Sequence, residues 1–93
     1  MTWRVVLCPA AEREYARLSR DAKTGVLAVL RGLDADPRGR GVSPVRGAAG
    51  VWRVRAADHR VLFRIDGASR EVRVLRIARR DTVYRRLRDL PFD

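Results

Sequence analysis

The chain has 93 residues, 21 of them Lys or Arg and 11 Asp or Glu, for a formal net charge of +10. That length fits one small domain over residues 1–93 with a thin core. No apolar run approaches the roughly 18 residues of a membrane span, and the run after Met1 is too short for a secretory signal, so a cytoplasmic protein is expected. Cys8, the single cysteine, excludes an intrachain disulfide or a cysteine-based metal centre. The elements follow in chain order. Residues 3–7, "WRVVL", read as a strand, and Pro9 ends it in a position suited to the first turn of a helix. "AAEREYARL" is that helix, with Glu12 and Glu14 early and Arg17 late, as the helix dipole favours. "SRDAKTGVLAVLRGLDAD" is a second helix, capped by Ser19 or Asp21, with Val26, Leu27, Leu30 and Leu33 at helical spacing. Gly25 and Gly32 weaken it by about 1 kcal/mol each relative to alanine and are expected to permit close packing.

The stretch "PRGRGVSPVRGAAG" reads as a loop, with four glycines, two prolines and three arginines. Three strands follow, Val51–Ala56, His59–Ile65 and Val72–Ile77, joined by the turns "AADH" and "DGAS". Asp66-Gly67 is a hairpin signal in the second turn. "RRDTVYRRLRDL" closes the chain as a short basic helix or a tail. The predicted fold class is α+β. A helical hairpin packs on an antiparallel sheet of about four strands, in the order β-α-α-β-β-β with a short C-terminal helix or tail.

Charge is distributed unevenly. Residues 1–45 hold 8 basic and 5 acidic residues, and residues 46–93 hold 13 and 6, so +7 of the +10 lies in the second half. In "VWRVRAADHRVLFRID", Trp52 and Val54 share one strand face and Arg53 and Arg55 the other. On the next strand Val61, Phe63 and Ile65 oppose Arg60, Leu62 and Arg64. Val72 and Val74 then share a face with Arg76, while Leu75 and Ile77 share one with Arg73. Helices are expected on the apolar face, and arginines on the other. Like charges on neighbouring strands repel, so such a face points to a polyanion or an acidic protein as partner.

Metal chemistry is not suggested. There is no HExxH, no glycine-rich phosphate loop opening a helix and no acid cluster for Mg²⁺, and no cofactor is implied. A metal-free reaction suits the residues better. RNA carries its own nucleophile, the 2′-hydroxyl. Arginine forks match phosphate oxygens and stabilise the charge that gathers there in the transition state. Tyr84, His59 or an arginine are the candidates for moving protons.

The helical hairpin after a first strand, then "SPVRGAAGVWRVRAADHRVLFRID" and "VLRIARRDTVYRRL", resembles the RelE/ParE superfamily of bacterial type II toxins. The likeness covers nearly the whole chain and lies in the ordered set of pieces. It implies a ribosome-dependent mRNA endoribonuclease that blocks translation, or alternatively a ParE-type inhibitor of DNA gyrase without catalysis. It also implies a cognate antitoxin that forms an oligomer with the toxin, and ribosome and mRNA as targets. By resemblance, Arg60, Arg80 and Tyr84 take the catalytic positions. Arg53, Arg55, Arg64 and Arg79 take RNA-binding ones. The family often has histidine where this chain has Arg79, and tyrosine where it has His59.

Overall fold

The computed structural model describes residues 3–79. The closing basic segment, with Arg80 and Tyr84, lies outside the described residues. The elements are β1 (Arg4–Leu7), α1 (Pro9–Ala16), α2 (Arg20–Ala35), β2 (Ser43–Pro44), β3 (Trp52–Ala56), β4 (His59–Asp66) and β5 (Glu71–Arg79). Cys8 is extended and Pro9 takes the first helical position, so α1 begins where a missing N–H costs nothing. Between Ser19 and Asp21, the cap of α2 is Ser19, whose Oγ accepts the Ala22 N–H at 3.2 Å. Val26, Leu30 and Leu33 turn one buried face of α2 toward the sheet.

The sheet has five strands in the order β1-β5-β4-β3-β2, and all neighbours are antiparallel except β1 and β5, which are parallel. Two features differ from the antiparallel four-stranded expectation. β2 is only two residues long inside a Gly/Pro-rich stretch, where strand propensity has no voice. β1 is followed by both helices before any other strand forms, and a four-residue apolar run carries no sign of its partner's direction.

The main core lies between helices and sheet. Ala11, Val26, Leu30 and Leu33 meet Val54, Ala56, Val61, Phe63, Val72, Val74 and Ile77, with Trp3, Tyr15 and Trp52 packed at its margins. A second, smaller cluster sits on the outward face. There the 45–51 segment folds over the sheet, and Val45 and Val51 bury Leu62 and Leu75. The outward face is therefore not arginine alone.

β5 corrects the simple alternation. Leu62 pairs with Arg76 but Phe63 pairs with Val74, so Leu75 is an extra residue at a β-bulge. Leu75 and Arg76 both stand opposite Leu62. The phase is reset, and Ile77 joins Val72 and Val74 in the main core instead of sharing a face with Arg73. Arg76 leaves that face and is nearly buried against α1. Past Leu7, β1 no longer covers β5, and α1 takes over. The Glu14 carboxylate accepts the Ile77 N–H at 2.8 Å, Arg76 Nη2 at 2.8 Å and Arg76 Nε at 3.1 Å.

Gly25 and Gly32 do not serve close packing. A Cβ at either would meet nothing within 4 Å. In the second hairpin the positive φ falls on Arg70 (54°), not at Asp66-Gly67. The Asp66 side chain instead accepts the Ala68 and Ser69 N–H groups and folds a four-residue loop, 67–70.

Two outcomes follow. Glu14→Ala leaves the Arg76 guanidinium, 7% exposed, without its carboxylate, and should lower unfolding stability by about 3 kcal/mol in urea titration. Gly25→Ala should raise it by about 0.5–1 kcal/mol, because only the helix's conformational entropy changes.

Candidate nucleic-acid interface

The arginines are positioned by the β3–β4 hairpin. Its turn is Ala57-Asp58, with Ala57 held at φ 55°. A two-residue turn makes Ala56 and His59 the closing hydrogen-bonded pair. Arg55 and Arg60 are then the next pair, a non-hydrogen-bonded one whose side chains approach most closely. Ala78 completes that row on β5. One step further on the same face lie Arg53 and Leu62, and one step beyond that Arg64 pairs with Arg73.

Backbone and side-chain acceptors hold two of these forks. Arg53 Nε donates to Ser43 Oγ at 3.0 Å, and Arg55 Nε donates to the Ala57 carbonyl at 3.0 Å. Arg60 is half-buried and, among the described residues, makes a single long contact, 3.5 Å, to the His59 carbonyl. The ion pairs between described residues go elsewhere: Arg4 and Arg73 to Glu71, and Arg76 to Glu14. Among the described residues, no carboxylate pairs with Arg55 or Arg60. Two like charges directly opposite cost about 0.2–1 kcal/mol, and here nothing among these residues offsets the cost.

Arg53, Arg55, Arg60 and Arg64 thus share the outward face, as the sequence implies. His59 and Arg79 pair with each other, in register with Ala56, whose side chain enters the helix-side core. They sit on the opposite face at the same end of the sheet, so the structure does not bring Arg79 beside Arg60. Arg80 and Tyr84 lie outside the described residues. Sequence reasoning missed Ser43, because Pro44 and the surrounding glycines hide the short strand that carries it. Arg73 also joins this face, and the bulge at Leu75 obscured its phase. Among the described residues, no three of His, Cys, Asp and Glu cluster as metal ligands do, and no helix is long and apolar enough to cross a membrane.

The sequence matches the family model described as the ParE toxin of type II toxin–antitoxin system, parDE, over residues 5–84. The chain belongs to this ParE toxin family. It lies within the RelE/ParE superfamily and is a type II toxin–antitoxin toxin. No curated protein matches it in sequence. Solved structures share the fold. The toxin–antitoxin complex RelBE2 from Mycobacterium tuberculosis contains a chain 27% identical, with 86% of this chain and 100% of that one covered, at a TM-score of 0.77. The YoeB/ParE toxin from Agrobacterium tumefaciens is 23% identical, covering 82% and 96%, at 0.70. The isolated E. coli RelE toxin is 15% identical, covering 94% and 96%, at 0.73. This ParE-family chain therefore shares that architecture.

The far end of the arginine face gives a pH signature. Hydrogen bonds from Arg4 and then Arg73 hold the Glu71 carboxyl below its ordinary pKa. A depressed folded pKa contributes stability that is present above the unfolded value and lost as pH falls through the folded one. Wild-type stability should therefore drop between about pH 5 and pH 3, and Glu71→Gln should show a shallower drop over the same window by urea midpoint.

Proposed function

We propose that this toxin is an endoribonuclease that receives single-stranded mRNA on the outward face of β3 and β4, in the ribosome, and is neutralised by a cognate antitoxin. One observation carries the reading: Arg55 and Arg60 are directly opposed, with no carboxylate pairing either among the described residues. A phosphate between them turns that repulsion into two charge-assisted bonds. The chemistry needs no metal. The RNA 2′-oxygen attacks the adjacent phosphorus, the 5′-oxygen leaves, and a 2′,3′-cyclic phosphate remains. Arg60, half-buried and therefore less screened, stabilises the charge gathered on the phosphoryl oxygens. Arg53 and Arg55 hold the backbone, with Arg64 as a further contact along the same face. The roles of Arg80 and Tyr84, a phosphate ligand and a proton-transfer group, and of Arg79 as an RNA contact, rest on the family resemblance alone. The antitoxin is supported by the solved relatives, several of which are toxin–antitoxin complexes, among them those of M. tuberculosis and Pyrococcus horikoshii.

The family model's own description, parDE, favours a second reading in which the same face binds DNA gyrase and no RNA is cut. Expression of the chain alone should arrest growth under either reading. Primer extension should show new mRNA ends in the first case, and a supercoiling assay should show gyrase inhibition in the second. In single-turnover cleavage of ribosome-bound mRNA, Arg60→Ala should lose about 10²–10³ in rate. Arg53→Ala should mainly weaken binding, since it holds ground state and transition state alike. A folded Arg60→Ala variant that cleaves at the wild-type rate would remove Arg60 from the site.

A further inference from the structure

We propose that the cleft between α2 and the open end of β3 seats a nucleobase bearing an exocyclic amine, as cytosine and adenine do, from the RNA strand whose phosphate meets Arg55 and Arg60. The proposal rests on the RNA reading above. The cleft encloses about 460 Å³, within the size range of small-ligand sites. Val29, Leu33, Val42 and Val54 give it apolar walls, and Arg55 lines it too. It is therefore continuous with the arginine pair. Gly32 also lines it, and a Cβ there would meet nothing within 4 Å. Glycine in a helix is unfavourable, and this one serves no packing contact. Its effect is to keep the cleft open.

Two sets of polar groups in this cleft suit such a base. The first is the Arg55 main chain. Arg55 and Arg60 are a non-hydrogen-bonded pair, so the Arg55 N–H and C=O point away from β4, toward the β2 side. β2 pairs with Trp52 and Arg53 and stops. Continuing its register would set Gly41 opposite Arg55, but Gly41 turns away at φ 85° and lines the cleft instead. β2 thus gives the Arg55 main chain no ladder partner. An added peptide strand would need a run of such positions, whereas one donor beside one acceptor matches the edge of a base. The second is Asp36, at the C-terminus of α2, where a carboxylate opposes the helix dipole. Its Oδ1 accepts the Arg38 N–H at 3.0 Å, and its Oδ2 lies 3.3 Å from where a Gly39 Cβ would stand, on the same wall. A carboxylate accepts from an exocyclic amine and repels the O4 of uracil. An amine offers one hydrogen to the Arg55 carbonyl and one to Asp36, while the ring nitrogen beside it accepts the Arg55 N–H.

The test compares two fluorescent single-stranded 2′-O-methyl oligoribonucleotides of equal length, oligocytidine and oligouridine, on the full chain. They lack the free 2′-hydroxyl and are not cut. Their bases have the same ring and differ in the amine or oxygen at position 4 and in the proton on the neighbouring ring nitrogen. Affinity is read by anisotropy at about 50 mM salt. Wild type should prefer oligocytidine by about five- to tenfold. Gly32→Leu fills the cleft and should bring the ratio to about one, while Gly25→Leu, on the same helix but away from the cleft, should keep it. Asp36→Asn retains an oxygen for the Arg38 N–H and should also lower the ratio. Because the readout is a ratio, the added positive charge of that variant cancels. Urea midpoints confirm that each variant is folded. Equal wild-type affinities, or a preference that survives in folded Gly32→Leu or in Asp36→Asn, overturn the base site and leave the RNA reading standing. A wild-type chain that binds neither oligoribonucleotide overturns both.

Discussion

The sheet can present an ordered charged face only if β5, next to the edge strand β1 in the sheet order, is closed along the part of its edge that β1 leaves open, and the contact that does this is the Glu14 carboxylate. β1 covers β5 only from Glu71 to Val74. Beyond that point the strand would expose unpaired backbone and an arginine on the inner edge. Glu14 accepts from both the Ile77 N–H and the Arg76 guanidinium, so one side chain satisfies a ladder position and neutralises a nearly buried cation. A buried pair of this kind is weak evidence for net stability, because its desolvation is costly. Its value here is geometric. It fixes α1 against β5.

The same junction explains why β5 carries an extra residue. Without the bulge at Leu75, a two-residue period would send Arg76 into the helix-side core and Ile77 out of it. With the bulge, Leu75 reaches the outward cluster beneath Val45 and Val51, Arg76 reaches Glu14, and Ile77 returns to the core. Each of the three side chains finds the environment its chemistry requires. A single register shift does the work that three substitutions would otherwise need.

This also marks how far the sequence could be read. The helical hairpin and the β3–β4 faces were legible because their apolar spacing is clean over several turns or residues: Val26, Leu30 and Leu33 on one side, Trp52, Val54, Val61 and Phe63 on the other. The α+β class and the family resemblance followed from them. The phase of β5 was not legible, since a bulge breaks the period at one residue and leaves two half-patterns that look like disorder in the alternation. β2 was hidden because its pairing depends on β3 and not on its own residues. The role proposed for Gly25 and Gly32 failed for a different reason. Glycine in a helix signals either a close neighbour or tolerance of its cost, and the sequence does not distinguish the two. Within the site, Arg53, Arg55, Arg60 and Arg64 were readable as one face from alternation alone. That Arg55 meets Arg60, and that Ser43 meets Arg53, are facts of register, which pattern does not carry.

Where the acids go decides what the arginine excess means. Glu14 is committed to Arg76, and Glu71 to Arg4 and Arg73. The Asp66 side chain closes its own loop by accepting the Ser69 and Ala68 N–H groups, and hydrogen bonding from Ser69, with a smaller part from Ala68, holds its pKa below the ordinary value. The positive excess is therefore not spread evenly over the sheet. It is concentrated at the hairpin end, around Arg55 and Arg60, with Asp58 in the turn as the nearest acid in sequence. If arginine were merely the chain's default surface residue, the available carboxylates would be expected to scatter among the guanidinium groups. Instead they are drawn to the β1–β5 side and the α1 junction, where they serve the fold. Among the described residues no carboxylate pairs with Arg55 or Arg60, and this is what supports the proposal that the hairpin end receives an anion.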